Sequence, residues 1–178
     1  MRIYLQPAQR QHVSQWLALV NQDRIWLGRW MPYLNEIQTE ADAKVYVEKN
    51  ARLGFYLGEQ IYEIWQGEKL VGLLSLHNGQ FTDRTVEIAY WLGRAYTGQS
   101  LAAAACQLIF SKVFATTAIE TIYIRCEAHN YASQAIALKL GLLLEGTKAG
   151  ILTYVLTKDN WMGTGYDEDD LFYFLEEV

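Results

Sequence analysis

Residues 85–102, TVEIAYWLGRAYTGQSLA, decide the fold of this protein. Residues 85–92 alternate with the two-residue period of a β-strand, which places Val86, Ile88, Tyr90 and Leu92 on one face and Glu87, Ala89 and Trp91 on the other. Residues 93–100 are rich in turn-forming types, and the apolar run 101–116 that follows carries a single charge, Lys112. The stretch therefore predicts a strand, a short connection and a largely buried helix.

The flanking segments extend this unit into a mixed sheet with helices on both faces. Periodicity predicts further strands at 2–6, 60–66, 69–77, 121–126, 142–145 and 152–157, with a loop at 78–83. It predicts helices at about 7–21, 39–53 and 130–140, opened by Pro7, Thr39 and Asn130 respectively. Gly141 supplies the stop of the last of these helices. A tryptophan-rich stretch, 26–33, follows the first helix.

Composition limits the class of protein. The chain has 178 residues, of which 51% are hydrophobic, so it suits one well-packed domain and excludes a disordered chain. No apolar run reaches the roughly 18 residues of a membrane helix, and the N-terminus lacks a secretory signal. Cys106 and Cys126 lie in apolar runs, as inert core thiols do. We expect a cytoplasmic protein without a membrane partner.

The formal net charge of -5 is unevenly distributed. Six acidic residues fall within 167–178, and without them the 15 basic and 14 acidic residues that remain nearly balance. No basic stripe favours a nucleic-acid partner. The acidic run is typical of a solvated tail. A helix from Asp169 would align Leu171, Phe174, Leu175 and Val178 as an apolar stripe. Such a stripe would dock either on this chain or on a partner.

Two strand-to-helix junctions are candidates for chemistry. At 96–102, small residues at a helix start leave backbone N–H groups open to a phosphate, although an ordinary turn has the same composition. At 128–133, Asn130 is an N-cap and Ser133 the N3 residue, which is also the pattern of a plain cap. No Gly-x-Ser-x-Gly motif is present, and the scattered His12, His77 and His129 do not have metal-ligand spacing, so we expect no metal.

Taken together, these stretches resemble the GNAT N-acetyltransferases, specifically the Rim-type group that acetylates ribosomal-protein N-termini. Residues 86–93 are similar to the family's central strand, and 96–102 lie where the family has its pyrophosphate loop. The family's second signature is matched by Ala128-x-Asn130-x-x-Ser133, Lys139-Leu140-Gly141-Leu142 and Leu144-Glu145-Gly146, and Trp30-Met31-Pro32-Tyr33-Leu34 resembles a Rim-type feature. The resemblance covers residues 2–161. It implies a GNAT domain at 1–161, with a mostly antiparallel mixed α/β sheet, and an acidic and aromatic extension at 162–178.

The resemblance also implies acetyl-CoA as the cofactor and gives roles to the matching residues. The strand at Tyr90, Trp91 and Leu92 would splay from its neighbour at a bulge and hydrogen-bond the pantetheine arm. The pyrophosphate would lie on the backbone of Thr97, Gly98, Gln99, Ser100, Leu101 and Ala102. Asn130 would orient the pantetheine or the departing thiolate, and Ser133 is the candidate general acid.

The chain departs from the family pattern in two places. Thr97 replaces a long polar side chain, and Ser100 replaces a glycine; if that position needs φ > 0, the serine costs about 1–2 kcal/mol. The Glu that often follows Leu-Glu-Gly in Rim-type enzymes is absent, and the hairpin there is predicted to be shortened. Glu87 is then the best candidate base, with a simple cross-strand surface charge as the alternative, and His129 is a weaker candidate.

These observations predict an acetyl-CoA-dependent N-acetyltransferase that acts on a primary amine, preferentially a protein or peptide N-terminus. Two alternatives stay open. One is a small-amine acetyltransferase for a polyamine or aminoglycoside, and the other is a non-catalytic acyl-CoA-binding or interaction module. The tryptophan-rich stretch and the aromatic tail are candidate homodimer contacts.

Overall fold

The computed structural model describes residues 3–163. The strands are β1 (Ile3–Pro7), β2 (Glu59–Gln66), β3 (Lys69–Gln80), β4 (Thr85–Leu92), β5 (Thr121–Glu127), β6 (Leu143–Lys148) and β7 (Ile151–Thr157). The helices are α1 (Val13–Trp30), α2 (Glu40–Leu57), α3 (Leu101–Thr116) and α4 (Tyr131–Lys139). The predicted tail helix from Asp169 and most of the predicted 162–178 extension lie outside the described residues.

The seven strands form one sheet in the order β1-β2-β3-β4-β5-β7-β6. Every neighbouring pair is antiparallel except β4 and β5, which run parallel. A parallel pair needs a crossover, and α3 supplies it between these two strands. The predicted mixed, mostly antiparallel α/β sheet is therefore confirmed.

Helices cover the sheet on both faces, so two apolar layers form. On one face, Ile88 and Leu74 pack with Ile109 and Phe110 of α3, which explains why that helix is almost uncharged. On the other face, Trp91 and Leu73 pack with Trp16 of α1 and Val47 of α2. Because neighbouring side chains of a strand alternate between faces, β4 contributes to both layers, as its sequence pattern predicts.

The predicted bounds of the first helix were wrong at both ends. Pro7 ends β1, opposite Tyr62 of β2, and a proline is tolerated there because β1 is an edge strand with one unpaired side. α1 begins only at Val13 and continues to Trp30, so Trp26 and Trp30 are helical. Asp23 leaves helical geometry at φ -125° and kinks the helix without ending it.

Other bounds shift by a few residues. β3 extends through Gln80, which pairs with Thr85, so half of the predicted 78–83 loop is strand. β6 and β7 are longer than predicted because Ala149 and Gly150, both at positive φ, close them as a two-residue hairpin. The predicted cap of α2 is confirmed: the Asp42 amide donates to Thr39 Oγ1 (3.2 Å) and Thr39 N donates to the Asp42 carboxylate (2.8 Å).

Within residues 3–163, none of the helices combines the length and the apolar character that a membrane crossing requires.

Candidate active site

The parallel strands β4 and β5 separate in the middle of the sheet. They pair only at Thr85–Thr121, Val86–Ile122 and Glu87–Tyr123, after which β5 continues beside β7. The β3–β4 register meanwhile runs without interruption from His77–Glu87 to Gly72–Leu92. The predicted splay is therefore present, but no bulge lies at Tyr90–Leu92, because the only register shift in the described β3–β4 pairing falls between His77 and Gln80. The gap opens because β5 diverges.

The main chain of β4 faces this gap with every second residue. Gly93 N donates to Val71 O of β3 at 2.9 Å, so Gly93 and, by alternation, Trp91 turn their backbone groups toward β3. Tyr90 and Leu92 then direct their N–H and C=O groups toward the gap. The splay thus leaves a half-paired strand edge to which an extended ligand can hydrogen-bond.

The loop from β4 to α3 presents backbone donors beside this edge. Gly98 and Ser100 have φ values of +74° and +62°, so the serine adopts the left-handed conformation that favours glycine. Ala104 N donates to Ser100 O, which begins the helical ladder and leaves the N–H groups of residues 101–103 without intrahelical partners. No acidic side chain lies in the first turn of α3, so its positive end can attract an anion.

Two contacts that the sequence did not indicate hold this loop. Asp23, at the kink of α1, accepts a hydrogen bond from Arg94 N at 2.7 Å. Lys139 Nζ, at the end of α4, donates to Ser100 Oγ at 3.0 Å and places a cation at the loop. Both join residues far apart in sequence, so no local pattern predicts them. The side chains of Thr97 and Gln99 bond to backbone carbonyls of the loop itself.

Asn130 and Ser133 lie together at the start of α4. Ser133 N donates to Asn130 Oδ1 at 3.2 Å, which confirms the predicted N-cap. The Ser133 hydroxyl lies 3.1 Å from Tyr90 Oη of β4, so the fold brings the second junction to the first. Burial raises the pKa of the Tyr90 phenol above its ordinary value, and the hydroxyl therefore stays protonated. The sequence indicated a role only for the backbone of Tyr90, because no local pattern places its hydroxyl beside Ser133.

Glu87 is held by three partners. Its carboxylate pairs with Arg125 of β5, accepts from Asn78 Nδ2 at 3.1 Å and lies 3.6 Å from His77 Nε2. Burial raises the pKa of this carboxyl, but the His77, Asn78 and Arg125 partners outweigh it, so the net pKa is lowered. A carboxylate stabilised in its charged form in this way is a weak proton acceptor. The other candidate base, His129, is mostly exposed and pairs with Glu127 at 2.8 Å.

A pocket of about 200 Å³ lies between the sheet and α2, on the face of Ala89 and Trp91. Inside it, Tyr46 Oη donates to Glu59 Oε2 at 2.6 Å, and Trp91 Nε1 donates to Tyr33 Oη at 3.2 Å. Burial raises the pKa of both tyrosines, so both remain neutral. The pocket is lined by Met31, Tyr33, Tyr46, Glu59, Ile61, Leu73, Ser75, His77, Ala89, Tyr90 and Trp91. It reaches β4 where β4 and β5 have separated.

Known proteins share this architecture. The chain is 24% identical, over 161 residues, to the ribosomal-protein-serine acetyltransferase of Escherichia coli K12, covering 90% of this chain and 86% of the relative. A structure of RimL, a ribosomal L7/L12 alpha-N-protein acetyltransferase in complex with coenzyme A, superposes with a TM-score of 0.82 at 22% identity, over 90% of this chain and 96% of that one.

A second solved structure has the same fold with a different small molecule. The microcin C7 self-immunity acetyltransferase MccE, in complex with acetyl-CoA and AMP, superposes with a TM-score of 0.79 at 23% identity, over 88% of this chain and 92% of that one. Residues 2–143 match the profile of the acetyltransferase (GNAT) domain. This chain is therefore a member of the GNAT acetyltransferase family.

Proposed function

We propose that this protein transfers the acetyl group of acetyl-CoA to the α-amino group of a protein N-terminus, of the kind that ribosomal proteins present. The observation that carries the proposal is the open edge of β4, which lies between the loop from β4 to α3 (residues 93–100, the α3 loop) and the Tyr90–Ser133 pair. The similarity to a ribosomal-protein-serine acetyltransferase over 90% of the chain supports the choice of substrate.

The α3 loop has the features that a pyrophosphate needs. Residues 98–102 offer backbone donors at a helix N-terminus, whereas the Thr97 N–H already donates to Arg94 O at 3.2 Å. A Cβ built on Gly98 would meet no atom within 4 Å, so the space beside this residue is open. Lys139, donating to Ser100 Oγ, adds a positive charge at the same position. In this role Gln99 and Ser100 act through their backbone, because the described contacts of their side chains are internal to the protein. Thr97 supports the turn instead, since its N–H and its hydroxyl both donate to Arg94 O.

The edge of β4 suits the extended part of the cofactor, which supplies an activated acetyl thioester. Tyr90 and Leu92 turn main-chain groups into the gap, so they can hydrogen-bond an extended arm as a neighbouring strand does. An N–H at this edge also meets the thioester oxygen, where negative charge develops as the amine attacks. By alternation, Leu92 is better directed for this than Trp91, whose backbone faces β3.

Ser133 is the proposed general acid. As the bond between the acetyl carbon and sulfur breaks, the sulfur takes a proton, and the amine nitrogen that forms the new bond loses one. Ser133 can donate toward the sulfur because the Asn130 cap fixes its backbone and the protonated Tyr90 phenol lies beside its oxygen. Tyr90 is thus a positioning residue for Ser133.

The pocket under α2 is the proposed site of the acceptor amine. Its Glu59 carboxylate attracts an ammonium group, and the rings of Tyr33 and Tyr46 provide flat apolar walls. A volume of about 200 Å³ is below the 300–1,000 Å³ typical of drug-sized ligand pockets, so it suits one or two residues of a peptide end. The rest of the peptide would lie along the surface.

A small-amine substrate is the second candidate. The shared fold with MccE supports this candidate, because the MccE structure contains a small molecule, AMP, together with acetyl-CoA. The Glu59 carboxylate would attract a polyamine as well as a peptide amine. The length of the best substrate distinguishes the two candidates.

Intact-mass analysis tests the function directly. The protein is incubated with acetyl-CoA and either peptides with N-terminal serine or alanine, a polyamine or an aminoglycoside. We expect the addition of one acetyl group to each peptide. Turnover should fall about 10²-fold or more in Ser133→Ala, whereas the matched control Ser111→Ala in α3 should retain wild-type turnover. Acetylation of the small amines alone would favour the second candidate.

Calorimetry with acetyl-CoA separates loss of function from a wrong substrate. Micromolar binding without transfer to any amine would identify an acyl-CoA-binding module rather than an enzyme. Absence of binding up to millimolar acetyl-CoA would refute the cofactor site itself.

A further inference from the structure

Three titratable side chains form one row across the middle of the sheet. Glu59 of β2 is directly opposite His77 of β3, and His77 is directly opposite Glu87 of β4. Residues paired in this way in antiparallel strands project to the same face. The row therefore lies on the face that α2 covers, and Glu59 and His77 line the pocket proposed for the acceptor amine.

The imidazole of His77 has one engaged nitrogen and one without a partner. Nε2 lies 3.6 Å from Glu87 Oε1, within ion-pair range. Nδ1 is buried and has no hydrogen-bond partner among residues 3–163. A buried polar atom without a partner is costly in a folded protein, and a catalytic role is one of the reasons for which a protein retains it. Because His77 lines the pocket and no described group holds Nδ1, this nitrogen is the polar atom of the pocket wall whose hydrogen-bonding capacity is unused.

The surroundings of Glu87 keep its carboxylate charged and fixed in place. Arg125 holds it from β5, and Asn78 donates to the same carboxylate oxygen. The other oxygen is nearest to His77. A carboxylate in this position favours the tautomer in which Nε2 carries the hydrogen and Nδ1 carries a lone pair. That tautomer has its basic nitrogen free.

We infer that His77 is the proton acceptor for the attacking amine, with Glu87 as the residue that positions its ring. This inference rests on the proposed acetyl transfer. As the amine nitrogen forms its bond to the acetyl carbon, its N–H bond breaks and the proton passes to His77 Nδ1. The electron pair of the carbon–sulfur bond leaves with the sulfur. The His77 side chain as a whole is 18% exposed, so water can reach the ring once the product has left the pocket.

The charged and titratable groups that face His77 come from four elements. Glu59 lies beside it on β2 and Glu87 on β4, while Arg125 of β5 neutralises part of the Glu87 charge. From α2, the Tyr46 hydroxyl donates a hydrogen bond to Glu59, and Tyr46 lines the same pocket as His77. Glu87 is thereby reassigned from base to positioning residue, and the exposed His129 remains the rival base.

The pH dependence of kcat/KM tests the inference. In the wild-type enzyme we expect kcat/KM to rise through a single proton-linked limb on the acid side. His77→Gln is expected to lower kcat/KM by about 10²–10⁴-fold and to remove that limb. Glu87→Gln is expected to lower it by about tenfold and to move the limb, since the ring keeps its nitrogen but loses its orienting charge. Glu68→Gln, in the β2–β3 turn, is the matched control.

Three results would overturn the inference: retention of the limb in His77→Gln, removal of the limb by His129→Gln instead, or weakening of acetyl-CoA binding by His77→Gln to the same degree as activity. A ¹⁵N NMR spectrum of the imidazoles gives a readout that needs no turnover. We expect the Nε2–H tautomer for the signal that disappears in His77→Gln, and the Nδ1–H tautomer would refute the pairing with Glu87. If wild type acetylates no amine, the proposed function fails, and the NMR result alone decides the His77–Glu87 pairing.

Discussion

Ser100 shows at the scale of one residue how a fold can retain a strained position. Its φ of +62° is in the left-handed region, where the Cβ of an L-residue costs about 1–2 kcal/mol relative to glycine. The sequence predicted this possibility from the glycine that the family has there. Lys139 offsets part of the cost by donating to the serine hydroxyl.

Replacing Ser100 with glycine should therefore stabilise the protein. We expect Ser100→Gly to raise the free energy of unfolding by about 0.5–1 kcal/mol, because the relieved strain exceeds the added entropy of glycine in the unfolded chain. Urea denaturation measures this change. Ser100→Ala is the control, since it keeps the Cβ and loses only the hydroxyl; equal stabilities for the two variants would contradict the strain.

Glu87 makes a prediction about acid stability. Burial raises the pKa of its carboxyl, but the interactions with His77, Asn78 and Arg125 lower that pKa by more than burial raises it. The pKa in the folded state therefore lies below the pKa in the unfolded state. A depressed carboxyl pKa contributes stability above the unfolded pKa, about 4.3, and that contribution is lost as the pH falls through the folded pKa. Wild type should exceed Glu87→Gln in stability at pH 7, and the difference should shrink below about pH 4.

Urea denaturation of wild type and Glu87→Gln at a series of pH values measures this dependence. The exposed Glu68→Gln change provides the comparison for the general effect of removing a carboxylate. A stability difference that stays constant from pH 7 to pH 3 would show that Glu87 contributes through packing rather than through charge.

At the scale of the element, the second half of β4 can bind a ligand because it is paired on one side only. From Glu87 to Leu92 its β3 edge is held in continuous register, while its β5 edge is free beyond Glu87. Gly72 of β3 permits the close approach of the two strands at Leu92. A Cβ built on Gly72 would lie 2.1 Å from Trp91 O and 2.9 Å from Leu92 Cα, both of them backbone atoms that cannot rotate away.

Gly72→Ala should therefore displace the end of β4. We expect a loss of about 1–3 kcal/mol in stability, typical of overpacking, together with weaker acetyl-CoA binding. Thermal unfolding and calorimetry measure the two effects. Gly146→Ala in β6 is the matched control, because a Cβ there meets nothing within 4 Å. Normal acetyl-CoA affinity in a destabilised Gly72→Ala would show that the end of β4 does not bind the cofactor.

The helices show which bounds a sequence pattern can predict and which it cannot. The start of α2 was predicted because Thr39 is a preferred N-cap residue, and the bounds of α3 because the apolar run 101–116 carries a single charge. The extent of α1 was not predicted. Pro7 suits a helix start as well as an edge strand, and Asp23 kinks α1 where the pattern indicated an end. Only the pairing of Pro7 with Tyr62 distinguishes the two readings of the proline.

At the scale of the whole molecule, a buried carboxylate joins the N-terminal strand to the sheet and to the turn before α1. Glu63 is 2% exposed. It accepts hydrogen bonds from Gln6 Nε2 (2.7 Å), Gln9 N (3.0 Å), and Trp65 Nε1 (3.0 Å), and it pairs with His12 Nδ1 at 2.8 Å. Hydrogen bonds to a charged group contribute about 1.5–3 kcal/mol each, and a buried donor left without an acceptor is costly.

Glu63→Gln should therefore destabilise the fold, because an amide N–H would replace one acceptor oxygen among these donors. We expect a loss of about 2 kcal/mol, or a Tm lower by roughly 4–8 °C for a chain of this size, measured by calorimetry. Glu120→Gln removes an exposed ion pair with Arg84 and should change stability by less than about 1 kcal/mol. Equal effects of the two substitutions would contradict the role of burial.

The sequence by itself determined the order of strands and helices, the family, and the local form of both junctions. The alternation of β4 and the caps at Thr39 and Asn130 depend on residues within a few positions of one another, so the order of residues contains them. The expectation of φ > 0 at Ser100 came from the family resemblance. The roles proposed for Ser133 and residues 97–102 rest on the family resemblance.

Only the tertiary structure decided which distant groups meet. Ser133 lies beside the Tyr90 hydroxyl, Lys139 beside Ser100, and Glu59, His77 and Glu87 in one row, across separations that no periodicity spans. Strand register sets these encounters, because a shift of one residue in the pairing would turn His77 to the opposite face of the sheet. Long-range packing fixes that register, and it therefore places His77, which no sequence pattern selected, in the pocket.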